Sequence, residues 1–458
     1  MLSKKHIRFL QDSFSKDALR LEPEACATHS TDSSRILALP DAVVRPETEQ
    51  EVEILLSWAH RERIPVYPRA RATGVAGGVV PQKGGIVVST LRMNRIIEIS
   101  ADDFTATVEP GVVTGELQKI LEAQNLFYPP DPASVNISTI GGNASTCAGG
   151  LRAVKYGVTR DYILGLNAVL PGGKTIRTGK PVHKNVAGLD LTRLLVGSEG
   201  TLGIITKLIL KLLPKPEATA SILVGFKTLG NCLQAASTVF HAGFLPTAME
   251  FMDNKVLDAL ADVAPSVPWT GNPGGALLFR LDGSRAALAA DLERLHAALS
   301  TCDPLFLEIG DTPETEEELW EVRRLISPAL YSVAPNKSND DIAVPRSQVA
   351  NAVRAFHDIG EQNGLNVVCF GHLGDGNIHV DIMYDAEQPG VAQKAKTAKE
   401  QIYDAVIRLN GTLSGEHGIG MVKRPYIHKQ FGPNELNAMA AIKHALDPHN
   451  IMNPDKAY

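Results

Sequence analysis

The chain has 458 residues, enough for two or three domains at about 150 residues each, with ample core. Its 45 basic and 51 acidic side chains give a formal charge of −6, and aromatic residues make up only 5%, which excludes the basic, aromatic-laced surface of a nucleic-acid binder. No run reaches the roughly 18 apolar residues of a membrane span. The five scattered cysteines (Cys26, Cys147, Cys232, Cys302, Cys369) form no C-x-x-C, so free thiols in a reducing compartment are expected, with no iron–sulfur cluster or cysteine zinc site in this chain.

The opening "MLSKKHIRFLQDSFSKDALR" reads as an amphipathic helix and lacks the apolar stretch of a signal peptide. Residues 47–63 predict a second amphipathic helix. "PVYPR" then predicts a short strand leading into a glycine-rich loop. "GGIVVST", "RIIEIS", "TATVEPG", "DYILGLNAVLPGG" and "LGIITKLILKLLP" predict further strands, so the class is mixed α and β. Pro214 and Pro216 mark a domain boundary. Beyond it, "SILVGF", a helix over 229–242, "TAMEFM", "GALLFRLDG", a helix over 285–301 and "PLFLEIG" run in the order β-α-β-β-α-β. That is the ferredoxin-like order, an antiparallel sheet with helices on one face. Helices are expected near 313–331, 346–362 and 391–410, and the remainder is largely helical.

"GHLGDGNIH", Gly371 to His379, lies between the apolar runs "NVVCF" and "VDIM". Asp-Gly in such a setting signals a two-residue hairpin turn at Asp375 and Gly376. Counting outward sets His372 opposite His379 on one face. Two readings stand on this stretch alone: a hairpin with half-exposed histidines, or two imidazoles sharing a divalent ion.

Three stretches are rich in small residues: "YPRARATGVAGGVVP" (Tyr67 to Pro81), "PPDPASVNISTIGGNASTCAGG" (Pro129 to Gly150) and "GSEGTLGII" (Gly197 to Ile205). None matches G-x-G-x-x-G or the Walker loop. Three within about 140 residues exceed what turns need, and close backbone approach to a large ligand explains them.

Together with "VEPGV", "KYG", "SGEHGIG" and "MNPDK", these motifs occur in an order that resembles the FAD-linked oxidases of the vanillyl-alcohol oxidase type. The resemblance is to the branch of D-lactate dehydrogenase, the glycolate oxidase large subunit and D-2-hydroxyglutarate dehydrogenase, from about Thr31 to Lys456. It implies an α+β chain. A short N-terminal helical segment (1–30) precedes a two-part, PCMH-type FAD-binding domain (31–216). A cap domain with the ferredoxin-like antiparallel sheet follows (217–410). A C-terminal segment (411–458) returns to complete the FAD and active site.

The resemblance assigns the FAD pyrophosphate to Arg69, Thr73, Gly74, Gly77 and Gly78. This chain departs from the family loop in having Ala70 and Ala72 for glycines and Arg71 for a small residue, so those alanines have either ordinary dihedrals or strain. No histidine occurs in that loop, and noncovalent FAD is expected. Pro132, Ser134, Thr139, Gly141, Gly142 and Asn143 match the segment near the isoalloxazine and phosphates. Gly149, Tyr156, Gly157 and Asp161 match a neighbouring motif. Glu199, Gly203 and Ile205 match the adenosine side, and Ile205 reads nearly as well as strand core. Asn453 matches a residue near the flavin, and Asp455 stands where the family has glycine.

In "SGEHGIG", adjacent side chains of an extended segment point apart, so Glu416 can face a metal while His417 faces a substrate. With His372 and His379, Glu416 makes a His₂Glu set with open positions. The resemblance makes the same assignment and casts His417 as general base. The expected cofactors are FAD and a divalent metal, zinc or manganese or iron. "ELWEVRRLISPAL" offers Arg323 and Arg324, and the resemblance to the family, whose pattern has tryptophan three residues before the arginine, selects Arg323 for the substrate carboxylate. Lys337, in a stretch that resembles a family motif before a V-P, and Asn377, on the turn flank, complete the candidate catalytic set. The implied reaction oxidises a small D-2-hydroxy acid, D-lactate first and glycolate second, with D-2-hydroxyglutarate as a further alternative. Electrons then pass to an iron–sulfur subunit, quinone or cytochrome. A cytoplasmic location is expected, or one at the inner face of a membrane through such a partner. An aryl-alcohol or sugar oxidase on the same fold has no use for the His₂Glu set.

Overall fold

A computed structural model describes residues 1–261, 263 and 272–458, which fall into two compact units. The first comprises Met1–Gly150, Val158–Lys215 and Glu416–Tyr458, and the second Leu151–Gly157 and Pro216–Gly415.

The first unit opens with helix α1 (Lys4–Ser13), capped by Ser3. Strands β1 (Leu19–Arg20), β2 (Ala42–Val44), β3 (Val66–Arg69) and β4 (Ile86–Ser89) form a sheet in the order β1-β2-β4-β3. Both β2 and β3 run parallel to β4, because helix α2 (Glu49–Glu62) makes the crossover between them. Sequence sets both ends of α2. Thr48 and Glu51 form a capping box, and Arg63 ends the helix at φ 53°. Val52, Leu55, Leu56 and Ala59 recur at helical spacing and are buried with Val44, Val66, Ile86 and Val88 in one core, which Ile451 and Met452 join. Each fully buried aliphatic side chain there contributes about 1.5–3 kcal/mol. A second, antiparallel sheet holds β5 (Ile96–Ser100), β6 (Thr105–Val108), β7 (Ile163–Leu170), β8 (Lys174–Gly179) and β9 (Ile204–Lys211) in the order β5-β6-β9-β7-β8. One stretch that reads as a small-residue loop is instead a short helix, α3 (Ile140–Thr146), capped by Thr139.

The second unit is built on one seven-stranded sheet. It comprises β10 (Ala218–Phe226), β11 (Ala248–Asp253), β12 (Gly275–Gly283), β13 (Phe306–Gly310), β14 (Asn336–Ala343), β15 (Asn366–His372) and β16 (Asn377–Tyr384). The order is β13-β10-β12-β11-β15-β16-β14, antiparallel throughout. Its first four strands keep the expected ferredoxin-like order, with helices α4 (Leu229–His241) and α6 (Arg285–Ser300) as connections. Helix α5 (Asn254–Ala261) is an addition after β11. Helices α7 (Pro313–Ala329), α8 (Val349–Asn363) and α9 (Val391–Arg408) lie close to their expected spans.

The hairpin register differs from expectation. His379 pairs with Phe370, not with His372, and the loop is the four residues Leu373–Gly376. A two-residue turn of the expected kind needs φ > 0 at both central residues, and only Gly376 has it, at 85°. Gly374 donates its N–H to the Met249 carbonyl of β11, so the neighbouring strand claims a group that the tighter turn would use otherwise. The shift is two residues, an even number, so both histidines still face one side of the sheet, now as diagonal neighbours. Their rings meet edge to face with centroids 5.1 Å apart.

Candidate active site

In the first unit, one cleft gathers the small-residue stretches. Arg69, Thr73, Gly74, Gly78, Pro132, Ser134, Thr139, Gly141, Gly142, Asn143, Gly149, Glu199, Gly203 and Ile205 line it, as do Glu416 and His417. Close packing explains several glycines. A Cβ on Gly141 would meet Pro110 Cβ at 2.4 Å, and one on Gly149 would meet Glu416 Oε2 at 2.9 Å. The Asn143 amide is spent on Thr114 Oγ1 at 2.8 Å. Arg69 donates to the carbonyls of Thr31 and Thr28, and burial lowers its pKa. Arg71 is exposed. Ala70 keeps a negative φ, whereas Ala72 stands at +55°, so one departure from the family loop carries strain and the other does not. The cleft suits a large polar ligand by its own chemistry: buried Ser138 Oγ, in the lining, finds no hydrogen-bond partner among the described residues.

Four of the expected FAD contacts lie outside this lining. Gly77 makes a turn at φ 72° beside Met421. Asn453 donates from Nδ2 to the carbonyls of Gly78 and Glu199, tying two cleft loops together. Tyr156 and Gly157 belong to the second unit, where the Tyr156 hydroxyl donates to Asp282 at 2.8 Å. Glu199, at φ 51°, accepts from the N–H groups of Ile419 and Gly420 at 2.8 Å each, so its carboxylate fixes the "SGEHGIG" loop. Burial raises the Glu199 pKa, and those two amides oppose the rise. That loop is bent where an extended segment was expected. His417 Nε2 therefore lies 3.6 Å from Glu416 Oε1, and the two side chains do not point apart.

In the second unit, one face of the sheet gathers a set of polar residues. Glu250 is opposite His372, Asp341 is opposite His379, and Asn339 is opposite Asp381. A ring nitrogen of His372 and one of His379 lie within 4.8 Å of each other, a spacing two ligands of one cation can take. His372 Nδ1 is 2.6 Å from Glu250 Oε1, and Arg323 Nε donates to Glu250 Oε2, also at 2.6 Å. Burial would raise the Glu250 pKa, but His372 and Arg323 overcome it and hold the carboxyl down at about 2. Arg323 comes from α7, where Trp320 one turn earlier is buried and donates to Ser221 Oγ, so the same helix side carries both. Its guanidinium lies over the Phe370 ring, and its terminal nitrogens find no hydrogen-bond partner among the described residues. Arg324 pairs with Glu317 on the outer face. Lys337 Nζ donates to Ser327 Oγ at 2.7 Å and reaches Asp381 at 3.3 Å. Burial raises the Asp381 pKa, with Lys337 and Asn339 opposing. Asn377 donates to Asp341 Oδ1 and the Ile342 carbonyl, and its Oδ1 is buried without a partner among the described residues.

Sequence reasoning missed Glu250, Asp341 and Asp381. The available signal was a lone carboxylate in the middle of apolar strand text, as in "TAMEFM" and "HVDIM". A further group, Asp253, His357 and Cys369, is satisfied internally. Asp253 accepts from His357, from the Cys369 N–H and from the Val256 N–H.

The model of the FAD-linked oxidase C-terminal domain matches residues 215–457, and that of the FAD-binding domain matches residues 40–179. The chain belongs to the FAD-linked oxidases. As a member it is an FAD-dependent oxidoreductase. It is 40% identical over 421 residues to the glycolate oxidase subunit GlcD of Bacillus subtilis, covering 92% of this chain and 89% of that one. It is 32% identical to a D-lactate dehydrogenase of Anaerostipes hadrus (92% and 90% covered) and 33% identical to a D-2-hydroxyglutarate dehydrogenase of Stutzerimonas stutzeri (92% and 91%). Among solved structures, p-cresol methylhydroxylase matches with a TM-score of 0.83 over 99% of this chain and 96% of its own, at 17% identity, a likeness of fold alone. Among the described residues, no helix of this FAD-linked oxidase is long and apolar enough to cross a membrane.

Proposed function

We propose that the protein oxidises a small D-2-hydroxy monocarboxylate, D-lactate first, to the 2-oxo acid. The observation that carries this reading is the charge pairing on the sheet face of the second unit. Arg323 is matched by Glu250, Lys337 by Asp381 and Arg280 by Glu316; of these three, Arg323 has terminal nitrogens without a hydrogen-bond partner among the described residues, which suits one substrate carboxylate and not two. A 2-hydroxyglutarate side chain would bring that extra charge. Glycolate is the second substrate, favoured by the 40% identity to a glycolate oxidase subunit.

His372 and His379 supply two nitrogen ligands for a divalent cation, zinc or manganese or iron. The proposed third is Glu416, one residue beyond Gly415, whose N–H is anchored on Asp341 at 3.0 Å. Such a cation, when bound, lowers the pKa of a ligand hydroxyl by several units. FAD, held without a covalent bond, supplies the acceptor for the hydride equivalent. The chain's own residues do the rest. Arg323 receives the carboxylate on its two terminal nitrogens. His417 takes the hydroxyl proton on a ring nitrogen. Asn377 presents an unsatisfied oxygen to the same face, and Lys337, fixed by Asp381 and Ser327, contributes positive potential. Electrons leave to a partner iron–sulfur subunit, a quinone or a cytochrome, since this chain's cysteines are dispersed free thiols.

Steady-state rates on D-lactate, glycolate and D-2-hydroxyglutarate with an artificial acceptor test the substrate class. kcat/KM should fall in that order, with hydroxyglutarate at least ten-fold below lactate. Hydroxyglutarate as the best substrate would contradict the reading.

A further inference from the structure

Glu250 belongs to no motif of the sequence, yet its carboxylate is fully enclosed on the sheet face, with 0% of its side chain exposed. A buried carboxylate persists only when fully paired. Here each oxygen has its own partner: Oε1 meets His372 Nδ1 at 2.6 Å and Oε2 accepts from Arg323 Nε at 2.6 Å. The partners come from different elements, β15 and α7, and Glu250 sits between them on β11. An acceptor at Nδ1 fixes the tautomer of His372, so that Nε2 presents its lone pair to a cation. The contact at Nε leaves both terminal nitrogens of Arg323 for a carboxylate and fixes the plane in which they lie.

We propose that Glu250 is a positioning residue that ties the metal ligand His372 to the carboxylate receptor Arg323, so that one side chain sets the distance between substrate hydroxyl and substrate carboxylate sites. The proposal rests on the metal-assisted reading above. A paired carboxylate that merely stabilised the fold would leave metal affinity and KM alone. One that acted only through its charge would be replaceable by aspartate.

The test uses the full-length, FAD-loaded protein. Metal affinity is measured by competition with a chelator and metal counting, KM and kcat on D-lactate, and FAD content by visible absorbance. Glu250→Gln can serve only one of the two donors, and Glu250→Asp keeps the charge but is one methylene too short to reach both. Each should lose metal affinity by about ten- to a hundred-fold and raise KM at least ten-fold, with FAD content unchanged. Wild-type metal affinity and KM in Glu250→Asp would overturn the proposal. So would a loss in either variant confined to kcat. If Glu250→Gln does not accumulate as yellow protein, Glu250→Asp alone decides by the same two numbers. Wild-type protein that binds no divalent metal would instead overturn the functional reading itself, a result visible before any variant is made.

Discussion

Ala72 shows how a single residue reports on a site. A left-handed backbone costs an L-residue about 1–2 kcal/mol, and Ala72 holds φ at +55° in the loop that lines the cleft of the first unit. Glycine would remove that cost and lose about 0.4–1 kcal/mol through the greater freedom of the unfolded chain. Ala72→Gly should therefore stabilise the protein by about 0.5–1 kcal/mol in denaturant unfolding, without weakening FAD. Ala70→Gly, two residues away at negative φ, should destabilise it slightly. Equal effects from both substitutions would show that the strain is absent. The alternatives for these alanines were legible in the sequence, but the choice between them was not. Dihedral angles there depend on what the loop packs against.

At the scale of elements, the sequence was most readable where apolar spacing is regular. Helix α2 and strands β7 and β9 fall where their periodicity places them, because burial of a stripe or a face drives them. Strand β14 was invisible. Its text, "NKSNDDIA", has polar residues toward both faces: Lys337, Asn339 and Asp341 toward the site, and Asp340 toward Tyr403 and Lys399 of α9. A strand that buries charge in pairs gives no alternation to detect. Helix α3 was hidden for the opposite reason. Its glycines look like a loop, yet Gly141 is needed for close packing on Pro110. The histidine hairpin was half legible. Period two gave the shared face, while the turn was misread because its tertiary partner, Met249, could not be seen. Gly376 closes that loop at φ 85°, and a Cβ there would lie 2.1 Å from the Val344 carbonyl oxygen. Gly376→Ala should cost about 2–4 kcal/mol in denaturant unfolding and lower metal content, with FAD content retained. Unchanged stability would mean that the loop can take another path.

At the scale of the whole molecule, the order of motifs identified the family before any geometry was known, since cofactor chemistry constrains the small residues that approach a dinucleotide. What the motifs could not give was the partnering of charges: Glu250 with His372 and Arg323, and Asp381 with Lys337. Those pairs join residues far apart in the chain, and they carry the argument on substrate class. The central claim is that a divalent cation assists transfer from a 2-hydroxy acid to FAD. The most direct measurement is anaerobic mixing of the yellow protein with D-lactate, before and after removal of divalent metal by chelation and dialysis. The account predicts rapid bleaching of the flavin in the metal-loaded protein. Bleaching should slow by at least a hundred-fold in the stripped protein at equal FAD content, and zinc or manganese should restore it. Equal bleaching with and without metal would contradict it.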